Sequence, residues 1–193
     1  MTPTQNATTV RTAGVFAILA FDLFGQSISP LLGYAKLAPI GLAGASLKSV
    51  FGANPAGAAH VLHVMTGLVF NAVGYFAIAR SVQRAVLPRL HWSITAAVYG
   101  VALWVVALYG VAHLIAGSKP CFGFTGITWV ALWGHVLYAI IAAARMEAKM
   151  LCWNCLSAQP RPMPDPARSI HANPLKTKLA PLMRRRFTGT SCA

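Results

Sequence analysis

The residues of this chain with the widest chemical range are its histidines and its few carboxylates, and several sit at helical spacing. His60, His63, Gly67, Asn71 and Gly74 follow one another at steps of three and four, so a helix places them on one face. Ile18, Asp22, Gln26 and Ser29 form a second stripe. Gly100, Leu103, Ala107, Gly110 and His113 form a third, and Thr128, Ala131, His135, Ala139 and Ala142 a fourth. If these faces meet, Asp22, Gln26, His60, His63, Asn71, His113 and His135 make a polar ladder. Packing alone accounts for such stripes, because small residues let helices approach and polar ones hydrogen-bond across the contact. Three chemistries compete with packing. His63 and His135 could hold a b-type heme, with Gly67 and Gly134 leaving room for the macrocycle. His63, His113 and His135 could bind a divalent metal, though Asp22 is the only carboxylate near them. A His–Asp network could respond to pH, since imidazole titrates near neutrality.

The elements that must position these groups are membrane spans. Residues 56–79, 94–116 and 127–144 contain no Lys, Arg, Asp or Glu, and residues 13–33 contain only Asp22. A span of about 20 apolar residues, rising ~1.5 Å each, crosses the hydrocarbon core. Composition agrees, with 56% hydrophobic and 10% charged residues and a mean hydropathy of +0.60. The expectation is an all-α integral membrane protein, a four-transmembrane-helix bundle spanning about 13–33, 56–79, 94–116 and 127–144. By helix rise, His60 and His113 then lie near the outer interface, and His135 lies about 12 Å into the fourth span. Asp22 and Gln26 approach the midplane, where ionisable groups are costly and are functional candidates. No polar residues are expected to continue the ladder towards the cytoplasm, which speaks against a complete transport path. Residues 34–55 are too short and broken to span, yet apolar enough to cap the bundle or lie at the interface.

Charge sets the orientation. Sixteen basic residues stand against three acidic ones, a formal +13. Arg11 precedes the first span, Arg80, Arg84 and Arg89 lie between the second and third, and nine Lys or Arg lie from Arg145 onward. Lys36, Lys48 and Lys119 fall on the other side. The positive-inside rule gives N-in/C-in in a bacterial inner membrane and removes the need for a nucleic-acid partner. Asp22 interrupts the apolar core that a cleaved signal peptide would need, so the first span is expected to remain.

Residues 146–193 read as a cytoplasmic, Pro-rich, basic and disordered C-terminal tail. Lys176, Lys178, Arg184, Arg185 and Arg186, interleaved with Leu, Met and Phe, suit anionic lipid headgroups at about 1 kcal/mol each, or docking onto a protein partner in a membrane complex. Cys152 and Cys155 have the spacing of half a zinc site, with only Cys192 and His171 to complete it. No Walker loop, dinucleotide fingerprint or nucleophile–base signature occurs, so no catalysis is expected.

The histidine-bearing spans echo each other. His63-Val64-Met65-Thr66-Gly67 and His135-Val136-Leu137-Tyr138-Ala139 both place a His in the outer half of a descending helix. From the second span to the fourth, the chain resembles the YagU-type family of bacterial inner-membrane proteins. The resemblance rests on His63 at the head of a helix, Val69-Phe70-Asn71-Ala72-Val73-Gly74-Tyr75 towards its end, Pro88 in the inner loop, and Gly134-His135. It covers under half of the chain. The Arg-rich loop around Arg84 is longer than the family pattern, and the tail lies outside it. It implies a four-helix inner-membrane protein with no assigned enzyme activity. The reading that results is a non-enzymatic accessory, scaffold or stress-related membrane protein without cofactor. The alternative is a small electron-transfer protein holding heme b between His63 and His135, or an accessory subunit of a larger complex. The Arg89-Leu90-His91-Trp92 run looks like the head of a heme helix in small membrane cytochromes b, but His91 lies at the inner end, out of reach of both histidines.

Overall fold

A computed structural model describes residues 3–157, and all regular structure within them is helical, with no strand. Four helices are long and apolar enough to cross a membrane: α1 (Thr4–Leu31), α3 (Ala58–Val86), α4 (Trp92–Ile115) and α5 (Gly126–Ser157). A shorter helix, α2 (Pro39–Phe51), occupies the connection from α1 to α3.

Both outer helices exceed their expected spans. α1 begins ahead of residue 13 because Thr8, Thr9 and Thr12 return their hydroxyls to Thr4, Gln5 and Thr8 carbonyls, so polar side chains do not break the helix. α5 runs past 144 to Ser157, so the domain boundary expected at 145 falls inside a helix. Arg145, Met146, Glu147, Ala148 and Lys149 end an apolar run but are good helix formers. The Cys152 and Cys155 positions therefore lie on α5, and Cys152 is exposed. Cys192, His171 and the tail residues Lys176, Lys178, Arg184, Arg185 and Arg186 lie outside the described residues.

Helix α2 has a proline in its first turn and ends on Gly52, whose φ of 73° lets its N–H reach the Lys48 carbonyl. It packs against the start of α3 and the end of α4, at one end of the bundle. Leu87, extended ahead of Pro88, stops α3. His91 caps α4 by accepting from the Ser93 N–H. The helices α1 and α5 form one broad contact and α4 and α5 another, with α3 completing the ring against α1 and α4.

Alanine and glycine make these contacts close. Ala13, Ala17, Ala72, Ala96, Ala139, Ala142 and Ala143 are buried, whereas Leu19, Phe70, Ile78, Val98, Val106 and Trp133 are exposed on the outer surface. Large apolar groups outside and small ones inside are what a lipid solvent favours. At Gly100 α4 approaches α5 closely, since a Cβ there would lie 2.6 Å from Val136 Cα. Gly14 similarly meets the Leu68 backbone of α3.

Three of the long helices contain wide, π-type turns: Phe24–Ile28 in α1, Thr66–Phe70 and Tyr75–Ala79 in α3, and Val106–Ile115 in α4. In such a turn the N–H bonds five residues back, which releases the carbonyl four back. Ser29 N–H goes to Phe24, and the freed Gly25 carbonyl accepts from Leu37 N–H at 2.9 Å. Asn71 N–H goes to Thr66, and the freed Gly67 carbonyl accepts from the Tyr138 hydroxyl of α5. Neighbouring elements thus satisfy the backbone groups that irregular turns expose inside an apolar bundle.

Candidate functional site

The wide turn of α1 and the first wide turn of α3 flank one polar cluster. Asp22 and Gln26 lie one turn apart on α1, and the Gln26 Nε2 donates to Asp22 Oδ1 at 2.9 Å. From α3, His63 Nε2 meets Asp22 Oδ1 at 3.0 Å and Oδ2 at 3.2 Å. A carboxylate can only accept, so this ring nitrogen carries the proton. The His63 side chain is 14% exposed and that of Asp22 32%. The pair is therefore sheltered without being sealed.

Phe21 stands next to this cluster and decides the place of His135. Its ring lies 5.0 Å from the His135 ring, edge-on, and 6.3 Å from the His63 ring. His135 thus faces α1, as expected, but its Nδ1 donates to the Ala131 carbonyl of its own helix at 2.7 Å. It is not hydrogen-bonded to Asp22 or His63. The seven-residue ladder reduces to Asp22, Gln26 and His63. His113 closes the end of α4 by donating Nδ1–H to Ser118 O at 2.7 Å. His60 is exposed in an open outer groove of about 460 Å³ that also includes Lys48 and Asn54. Asn71 contributes its carbonyl, which accepts from the Tyr99 hydroxyl at 2.8 Å. Among the described residues, no three His, Cys, Asp or Glu side chains converge as a metal site, so His63, His113 and His135 do not form one.

The heme alternative fails on space. The openings expected beside Gly67 and Gly134 are filled by protein. A Cβ on Gly67 would lie 2.5 Å from Ile18 Cδ1, and one on Gly134 would lie 3.0 Å from Phe21 Cε2. His63 Nε2, the nitrogen that would bind iron, is committed to Asp22. The residues present do not fit a macrocycle between the two histidines.

A second polar centre lies at the opposite end of the bundle, the end expected to face inward, where none was expected. Arg80 Nε is 2.9 Å from Glu147 Oε1 and its Nη2 donates to Oε2 at 3.3 Å, a two-pronged pair joining α3 to α5. The Arg80 side chain is only 8% exposed. Counting Arg80 among the loop cations missed that α3 continues to Val86, which carries Arg80 back into the bundle. Glu147, one of only three acidic residues in the chain and the first after the last apolar run, was the available signal. The neighbouring Arg145 lies over the Phe16 ring at 4.2 Å.

Along α3 a polar group therefore appears at nearly every turn: His63, the Gly67 carbonyl, the Asn71 carbonyl, Tyr75 and Arg80. The tyrosines that meet this line were hidden in apolar runs. Tyr138 and Tyr99 each donate their hydroxyl proton to a backbone carbonyl. A carbonyl has no proton to pass on, so these two contacts interrupt any relay between the outer cluster and the inner pair. Comparison with family models, with curated proteins and with solved structures finds no match.

Proposed function

We propose that this chain is a non-enzymatic, multi-pass inner-membrane protein, as the resemblance to YagU-type proteins implies, of accessory or scaffold type with a role in a membrane complex or in stress. The observation that carries this reading is the closure of its polar groups. The Asp22 carboxylate is occupied by His63 and Gln26, and Arg80 is occupied by Glu147. Neither centre presents an activated nucleophile beside a free base, and the tyrosine contacts separate the two. Such groups hold helices in register and fix which faces meet lipid or a partner. The clustering of Arg11, Arg84, Arg89, Arg145 and Lys149 towards one end supports N-in/C-in insertion, with the basic tail facing anionic headgroups.

Two measurements test this reading. Purified protein, expressed with ample heme, is expected to show no Soret band. A band abolished by both His63→Ala and His135→Ala would replace the scaffold reading with electron transfer. Reporter fusions after Asn54 and Ser118 are expected to be active outside, and those after Arg84 and Ser157 inside. Periplasmic activity at Arg84 would reverse the topology.

A further inference from the structure

The inner half of the bundle contains two hydroxyls that the packing does not explain. Tyr75 on α3 is fully buried, and its hydroxyl has no hydrogen-bond partner among the described residues. Thr95 on α4 is also buried, and its Oγ1 is likewise unpartnered. Both are exceptions to their own class. Thr9, Ser29, Ser46 and Thr128 are as deeply buried, and each bonds a carbonyl. Tyr99 and Tyr138, the other two bundle tyrosines that are not exposed, do the same.

The two exceptions share a neighbourhood. Thr95 lies one turn from Tyr99 on α4, and the Tyr99 ring packs edge-on against Tyr75 at 5.6 Å. Tyr75 also lies within electrostatic reach of both Arg80 and Glu147. A buried hydroxyl without a partner costs several kcal/mol in an apolar interior, where Phe or Val would fill the same volume without that cost. Buried water occupies sites that offer two to four polar partners, and this quarter of the bundle supplies them.

We propose that α3, α4 and α5 enclose a water-binding site in the inner half of the bundle, shared by the Tyr75 and Thr95 hydroxyls and bordered by the Arg80–Glu147 pair. The site hydrates the inner polar centre, while the Tyr99 and Tyr138 contacts keep the region beyond it dry. The two polar centres of the bundle are then wetted separately, one from each end.

The sign of a mutational effect tests the proposal. With water bound, Tyr75→Phe and Thr95→Val in the full chain each lower the melting temperature by about 2–4 °C, the shift that ~1 kcal/mol gives in a chain of this size. Because one water serves both hydroxyls, the double variant loses less than the sum of the two. If either single variant melts at or above the parent temperature, the hydroxyls are unsolvated and the proposal fails. Additive losses would mean that each hydroxyl finds its own partner, Tyr75 bonding Glu147 directly for example, and would overturn the shared site. Hydroxyl-radical footprinting gives an independent readout: radiolysis of bound water should label Tyr75 more strongly than Tyr138, and equal protection of both contradicts the proposal.

Discussion

Replacing Glu147 with Ala is expected to destabilise the bundle by about 3–5 kcal/mol, the cost of leaving one member of a buried ion pair without its partner. The orphaned group is Arg80, which is 8% exposed, holds both guanidinium contacts on Glu147, and otherwise meets the Phe76 ring, 5.9 Å away, and lies near Tyr75. Truncating Glu147 therefore leaves a guanidinium that stays charged and has lost its counter-charge between α3 and α5. Removing both charges should be far less harmful. The double change Arg80→Met with Glu147→Leu restores most of the lost stability, because apolar groups of similar volume carry no desolvation cost. Lys149→Ala is the control, since Lys149 is exposed two residues further along α5, on another face of the helix, and has no ion-pair partner among the described residues. If Glu147→Ala costs no more than Lys149→Ala in a thermal or denaturant assay, the inner pair does not join the helices.

The second large effect is steric. Gly100→Ala adds one carbon at a point 2.6 Å from Val136 Cα and 2.8 Å from the His135 carbonyl oxygen. Both contacts are backbone, so no side chain can rotate away, and α4 must separate from α5 along their broad contact. The expected loss is about 1–3 kcal/mol, in the range of overpacked cores. Gly110, on the same helix, provides the contrast. Its added carbon would find only Val106 Cγ1, at 4.0 Å, and Gly110→Ala should shift stability by no more than about 0.5 kcal/mol. A similar response at the two glycines would show that α4 does not cross α5 at Gly100.

These two sites show what the residue pattern could and could not reveal. The four long helices were legible because uncharged runs of membrane length leave little alternative, and residues 34–55 were legible as too short to span, but not as the helix α2. The ends were not. Arg145, Glu147 and Lys149 end a hydrophobic run but continue a helix, so α5 extended past its expected limit. Arg80 was counted as a topology signal, which is a statement about which side a charge lies on and says nothing about its partner. The wide turns had no signature, since the same apolar residues fill π and α geometry, and their capping by Leu37 and Tyr138 depends on contacts distant in the chain. Within the outer cluster, stripe analysis brought Asp22, Gln26 and His63 together correctly. It also placed His135 on an inward face, and the His135 ring lies beside Phe21 of α1. Face alone could not foresee that Phe21 packs against both imidazoles, or that His135 satisfies itself on Ala131. Hydrogen-bond partners depend on the last few ångströms, and periodicity does not reach that scale.

His63, and not His135, is the partner of Asp22. A pair of double-mutant cycles in a stability assay measures this directly. His63→Ala combined with Asp22→Ala should show a coupling of about 1 kcal/mol or more, towards the upper end for hydrogen bonds within membrane bundles. His135→Ala combined with Asp22→Ala should be additive to within about 0.5 kcal/mol, as for residues that share no bond. Coupling of Asp22 to His135 equal to or greater than its coupling to His63 would contradict the arrangement described here.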